Sequence, residues 1–212
     1  MKFNIFGCGG QCSVVLSILK TLGALDTEIT IFDPFNNSHN NEIVYGHKVV
    51  NLLDRPIVSF LDAANFIALG NLSQRKKFLT RFHGTGTHWP ALIDKTANVD
   101  QKADIGSGTI VCAGAHIGPF AAVGENCLIN TNAIIEHEVV VKNHVNLSPG
   151  VVICGRSKIG DSVSIGAGSV ILDKLSIASG CIIGANSTVL TSFESSGRKI
   201  IGSPARDIGN AV

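Results

Sequence analysis

Glu136-His137-Glu138 and, eighteen positions on, Gly155 are the residues whose types and spacing could do chemistry here. An imidazole beside a carboxylate has a partner that can fix its tautomer and raise its basicity. A glycine leaves its own backbone N–H uncovered by a side chain. A base next to an open N–H is the layout that acyl transfer needs. The histidine takes a proton from the attacking nucleophile, and the N–H holds the oxyanion of the tetrahedral intermediate. His144 follows closely in sequence and could contact an acyl donor or substrate.

This reading requires residues 137 and 155 to be neighbours, and a repeat makes them so. Written in sixes from Ile93, the first position is Ile, Val or Leu in every hexad as far as Val189. The fifth position is mostly small and the second is often Gly. An amphipathic helix would repeat at about 3.6 residues and a half-buried strand at about two. A period of six instead turns one large aliphatic and one small residue inward on each short flat strand, with Gly and Asn turning the corners. Three hexads close a triangular coil, and coils stack about 4.8 Å apart. Such repeats stabilise one another only in numbers, and the run from 93 to 189 gives a little over five coils. The expected architecture of residues 89–212 is a left-handed parallel β-helix with a short C-terminal tail. Cys127 and Cys181 fall at the fifth position and are expected in its core.

Residues 1–88 have a different pattern. Residues 2–6 read as a buried strand, and Gly7-Cys8-Gly9-Gly10-Gln11-Cys12 as a glycine turn. Val14–Leu22 has helical spacing. Further strands are expected at Glu28–Phe32, ending at Asp33, and at Phe66–Leu69, ending at Gly70-Asn71. Residues 72–82 read as a helix with Arg75, Lys76 and Lys77 on a solvated face. Together these make a Rossmann-like βαβαβ subdomain with a parallel sheet. A glycine turn opening a helix brings backbone N–H groups to a phosphate, and an acidic residue ending the next strand can accept from a ribose or base. The dinucleotide fingerprint is incomplete, because its third glycine position is Cys12. Trp89-Pro90 marks the junction between the two parts.

Composition narrows the function classes. A net charge of +1 provides no basic surface for nucleic acid and no polybasic membrane patch. No uninterrupted apolar run reaches the length of a membrane span, and no targeting signal opens the chain. The six cysteines form no CxxC pair and read as free thiols of a cytoplasmic protein. Three of the seven histidines, His116, His137 and His144, fall in the coils and could instead form a zinc site of the γ-carbonic anhydrase type. They occupy hexad positions six, three and four, so they do not share one edge.

The chain resembles bacterial sugar acyltransferases of the bacillosamine and sialic-acid type, within the hexapeptide-repeat superfamily. The residues that carry the likeness are the glycine turn, Phe32-Asp33, Ile67-Ala68-Leu69-Gly70-Asn71 with Arg75 after it, Asn130-Thr131, Ile135-Glu136-His137-Glu138, and Gly202-Ser203-Pro204-Ala205-Arg206 near the end. The resemblance implies a homotrimeric, acetyl-CoA-dependent N-acetyltransferase acting on a nucleotide-linked amino sugar, of the UDP-4-amino-4,6-dideoxy kind, with no metal. It implies His137 as general base and Glu138 as the residue that raises its basicity. It implies acetyl-CoA contacts at His144, Gly155, Ala167 and Ala185, and nucleotide-sugar contacts at Gly9, Gly10, Gln11, Asp33 and Gly70, with Asn130 near the sugar. The family often has Ser-Gly-His where this chain has Gly9-Gly10-Gln11, and sometimes a second acidic residue where this chain has Pro34. An O-acetyltransferase of the sialic-acid kind and a non-catalytic binding module on the same scaffold are the alternatives.

Overall fold

The apolar run after Met1 forms β1 (Lys2–Phe6), which α1 (Gly10–Thr21) follows. Next come β2 (Ile29–Asp33), β3 (Ile43–Val44), β4 (His47–Asn51), β5 (Ala63–Ile67) and α2 (Leu72–Leu79). The computed structural model describes residues 1–35, 42–52 and 56–211, which fall into two units, Met1–Lys95 and Thr96–Val212.

In the first unit the strands lie in the order β3-β4-β2-β1-β5. β1 pairs in parallel with both β2 and β5, and β4 extends the parallel sheet on β2. β3 folds back antiparallel on β4. The βαβαβ reading is therefore correct but short by two strands. HKVVN is too brief and too polar at its ends to stand out as a strand, and pairing with Ile31–Asp33 makes it one. The last strand of the unit lies earlier than 66–69, because Ala63 and Ala64 pair with Lys2 and Phe3.

α1 begins at Gly10 rather than Val14, so the glycine turn is itself the helix N-terminus. Phe6 is the hub of the core, with ring centroids of Phe78, Phe32, Phe60, Trp89 and Phe82 at 5.1, 5.3, 5.3, 5.5 and 5.6 Å. Trp89 thus packs into the first unit rather than simply marking a junction.

Arg75 is not on a solvated face. It is 2% exposed, and its Nη1 donates to the Leu69 carbonyl at 3.4 Å. The cause is helical geometry: Arg75 and Phe78 lie three residues apart on the inward side of α2, so the stem is buried and the guanidinium meets a strand-end carbonyl.

The second unit is the expected left-handed parallel β-helix. Two-residue strands recur every six positions, and each pairs in parallel with the strand eighteen residues away, as in Ile117↔Ile135↔Ile153↔Ile171. Every first-position aliphatic from Val111 to Val189 is buried. Replacing Ile159, which is 0% exposed, by Ala removes contacts from a column that cannot collapse. We expect a loss of about 2–5 kcal/mol, read as a lower midpoint in chemical denaturation.

The fifth position also bridges coils. Thr109, Ser157 and Ser169 each donate to a carbonyl fifteen residues on, at 2.7 Å. Each also accepts the N–H eighteen residues on. The Cys127 thiol occupies the same bridge, between the Lys142 carbonyl and the Val145 N–H. Cys127 and Cys181 are buried in the core.

The corners differ from expectation in one respect. From residue 108 to 186 the fourth position of every hexad has a positive φ. Gly and Asn fill only part of that series, and Phe120, Glu138, His144, Arg156, Ser162 and Lys174 fill the rest. Second-position glycines are needed for a separate reason. A Cβ on Gly124 or Gly166 would lie 2.9 Å or less from the backbone of the next coil.

Candidate active site

His137 sits on the corner that follows strand Ile134–Ile135, and Gly155 sits on the same corner one coil further on. The imidazole lies over the glycine. A Cβ built on Gly155 would be 2.6 Å from His137 Nε2 and 2.7 Å from Cε1. The other ring nitrogen, Nδ1, is 3.0 Å from Glu138 Oε2. A carboxylate can only accept here, so Nδ1 carries the proton and Nε2 the lone pair. Nε2 is therefore the basic atom, beside Gly155. Among the described residues the Gly155 N–H donates to no backbone carbonyl or side chain, whereas on the second corner the residues at the same hexad position, Glu125, Asn143 and Asp161, donate to Asn143, Asp161 and Ser179.

Arg156 completes this edge. Its Nε donates to the same Glu138 Oε2 at 2.9 Å. Sequence reasoning missed this residue, although the eighteen-residue step that takes 137 to 155 also takes 138 to 156. The hydrogen bond from His137, and then the one from Arg156, hold the Glu138 carboxyl below the ordinary glutamate range. It is therefore ionised at neutral pH. Cys154, next to Gly155, is pushed the other way, first by burial and then by the charges of Asp173 and Glu136. It remains a thiol at neutral pH, so the edge has a base but no thiolate nucleophile.

The other predicted contacts of the coils lie on different edges. His144 is on the second corner, after strand Val140–Val141, with Nδ1 3.0 Å from the Asn126 side-chain nitrogen. Asn130, Ala167 and Ala185 are on the third corner, after the strands ending at Ile129, Ile165 and Ile183. Ala167 and Ala185 are adjacent there, since the Asn186 N–H reaches the Ala167 carbonyl at 2.8 Å. They do not continue the His137–Gly155 column, which runs on to Asp173. Asn130 Oδ1 accepts from the Thr131 N–H at 2.8 Å. His116 is on a strand rather than a corner. Among the described residues no three His, Cys, Asp or Glu side chains gather as a metal site.

In the first unit the predicted nucleotide-sugar positions lie at or after the ends of parallel strands, Gly9 to Gln11 after β1, Asp33 at the end of β2 and Gly70 after β5. The ends of β1, β2 and β5 meet at Gly7, whose N–H donates to the Phe32 carbonyl at 2.9 Å. A Cβ on Gly7 would strike the Ala68 carbonyl, which explains the glycine. Gly9, Gly10 and Gly70 each have nothing within 4 Å of the space a Cβ would take. Asp33 is buried, accepts from the Phe35 N–H at 2.9 Å, and raises the Cys8 thiol through its charge, after the larger effect of burial. The side-chain nitrogen of Gln11, in the first turn of α1, is shielded from solvent without a hydrogen-bond partner among the described residues.

Fold and site together define a class, and comparison with known proteins gives the same one. Residues 2–82 match the PglD N-terminal domain, and residues 156–191 match the bacterial transferase hexapeptide (six repeats). The acetyltransferase domain of PglB from Neisseria gonorrhoeae is similar at 26% identity and a TM-score of 0.88, over 98% of this chain and 99% of that one. The same domain is also known in complex with acetyl coenzyme A. PerB from Caulobacter crescentus, in complex with CoA and GDP-perosamine, is similar at 25% identity and a TM-score of 0.87, over 99% and 98% of the two chains. WeeI from Acinetobacter baumannii shares the fold at 22% identity and a TM-score of 0.86, over 98% and 100%. Comparison with curated protein sequences gave no match. The chain is thus similar throughout to nucleotide-sugar acetyltransferases of the hexapeptide β-helix type.

Proposed function

We propose that this protein is an acetyl-CoA-dependent N-acetyltransferase whose acceptor is the amino group of a nucleotide-linked amino sugar. The observation that carries this reading is the placement of His137 Nε2 over Gly155, with Glu138 behind the ring. The neutral amine attacks the thioester carbonyl carbon, and His137 Nε2 accepts the proton that the nitrogen sheds as its bond to carbon forms. The Gly155 N–H donates to the oxyanion. As the C–S bond breaks, His137 returns the proton to the leaving sulfur. Glu138 keeps the ring in the tautomer that has Nε2 unprotonated and stabilises the imidazolium while it lasts.

Substrate binding falls to the first unit. Gly9 and Gly10 at the start of α1 present backbone N–H groups suited to a diphosphate, Gln11 supplies an unpaired side-chain donor, and Asp33 at the end of β2 and Gly70 after β5 are further proposed contacts. His144, Ala167 and Ala185 are proposed contacts to acetyl-CoA, with Asn130 near the sugar. The relatives' complexes with CoA, acetyl-CoA and GDP-perosamine support this choice of substrates. The six free cysteines suit a cytoplasmic location, and no helix among the described residues is long and apolar enough to cross a membrane.

The proposed contacts in the β-helix occupy three different corners of one prism, so one acetyl-CoA can meet them only where edges of separate copies come together. We therefore expect a homotrimer. Light scattering should give three times the 22.2 kDa chain mass, and a monomeric mass would contradict it. The activity itself is tested by incubating the protein with acetyl-CoA and a panel of UDP-, dTDP- and GDP-linked amino sugars. Thiol release coupled to amide formation is the expected result.

A further inference from the structure

We propose that Arg156 is a positioning residue for the His137 base, acting through Glu138. The inference rests on the proposed acetyl transfer but reaches a residue that the sequence motif does not contain. Its basis is that one carboxylate oxygen, Glu138 Oε2, receives both the His137 Nδ1–H at 3.0 Å and the Arg156 Nε–H at 2.9 Å.

All three side chains are about half exposed, so none is held by packing. Glu138 also stands on a left-handed backbone, φ 58°. A glutamate there has several staggered rotamers open to it, and most direct its carboxylate into water. Arg156 comes from the next coil, where the Arg156 N–H is fixed to the His137 carbonyl at 3.0 Å. The coil stack therefore sets the origin of the guanidinium, and the guanidinium selects the rotamer that faces the imidazole. The arginine also takes up part of the negative charge that the imidazole would otherwise face. It tunes the ring in two ways, by fixing the tautomer and by moderating the charge behind it.

A plain surface ion pair would behave differently. Such a pair contributes little to stability and leaves a neighbouring ring unaffected. The other charges on this edge in the coils of Glu138 and Arg156 and the coil after them are Glu136 and Asp173, which both act on the Cys154 thiol, and Lys174, whose Nζ is 3.5 Å from Asp173; Asp100 and Lys102 stand two coils before Glu138. None of them is hydrogen-bonded to Glu138, so none replaces Arg156.

The test compares Arg156→Gln and Arg156→Lys in the full chain by two readouts. In 15N spectra of the imidazole above its titration range, the wild type should show the Nδ1–H tautomer alone. Arg156→Gln should show an exchange-averaged mixture, and Arg156→Lys should return most of the wild-type signal. In steady state, Arg156→Gln should lower kcat by about 3–10-fold, a fraction of what a general base supplies, with KM for acetyl-CoA unchanged. In a Glu138→Gln background the same substitution should add nothing. An unmixed tautomer in Arg156→Gln, or an equal loss in the Glu138→Gln background, would overturn the proposal. The tautomer spectra need no turnover, so they decide the role of Arg156 even where no amino sugar is acetylated and the proposed function itself fails.

Discussion

Replacing His137 by Ala is expected to lower kcat by about 10²–10⁴-fold, the contribution of a positioned general base, and to leave binding of the nucleotide sugar close to wild type. The amine nucleophile must lose a proton as its nitrogen bonds to the thioester carbon. Nε2 lies on the edge with the open Gly155 N–H, and Cys154 beside it is held as a thiol. No other group on this corner combines a lone pair with that placement. The side chain is 47% exposed, so its removal leaves no cavity, and thermal unfolding should hardly move. Steady-state kinetics with a calorimetric binding measurement separates the two effects. A large loss of binding with kcat intact would make His137 a ligand contact rather than a base.

Replacing Gly155 by Ala has the second largest expected effect, and its origin is steric. Gly155 has no positive φ, so alanine fits its backbone. The new methyl would stand 2.6 Å from His137 Nε2, and the ring must swing away. The N–H of residue 155 survives, so the substitution isolates ring position from oxyanion binding. Displacement of about 1 Å costs on the order of 10²-fold in kcat, with Tm almost unchanged because the obstructing group is a side chain end. In a His137→Ala background the same change should cost little more, since the two act as a unit. Gly124→Ala makes the contrast. Its Cβ would meet backbone of the next coil, at Lys142 C 2.8 Å and Asn143 N 2.9 Å, so the loss should appear in Tm.

The repeat made most of the second unit legible. An aliphatic every six residues can be satisfied by very few chain paths, so the coil register, the core and the 137–155 stack could all be read before any contact was known. The same register holds Glu138 beside Arg156, but an arginine at a corner looks like any solvated charge until the carboxylate opposite it is considered. Ala167 and Ala185 obey the same count. The step places them next to each other, as found, and since Ala167 stands a coil and two hexads after His137 it also places them on another edge. In the first unit the strands that could be read were those with dense apolar cores. His47–Asn51 becomes a strand only by pairing with β2, and no local pattern encodes that pairing. The burial of Arg75 has a local cause, the side of α2 it shares with Phe78 and the Leu69 carbonyl six residues before it, which a run of three basic residues masks.

The account is tested most directly by mass analysis of products after incubating the protein with acetyl-CoA and nucleotide-linked amino sugars. The expected result is a product one acetyl group heavier, stable to mild base as an amide is, formed by the wild type and lost with His137→Ala. A base-labile ester would move the reaction to a hydroxyl acceptor, and an intact thioester with every amino sugar would contradict the account.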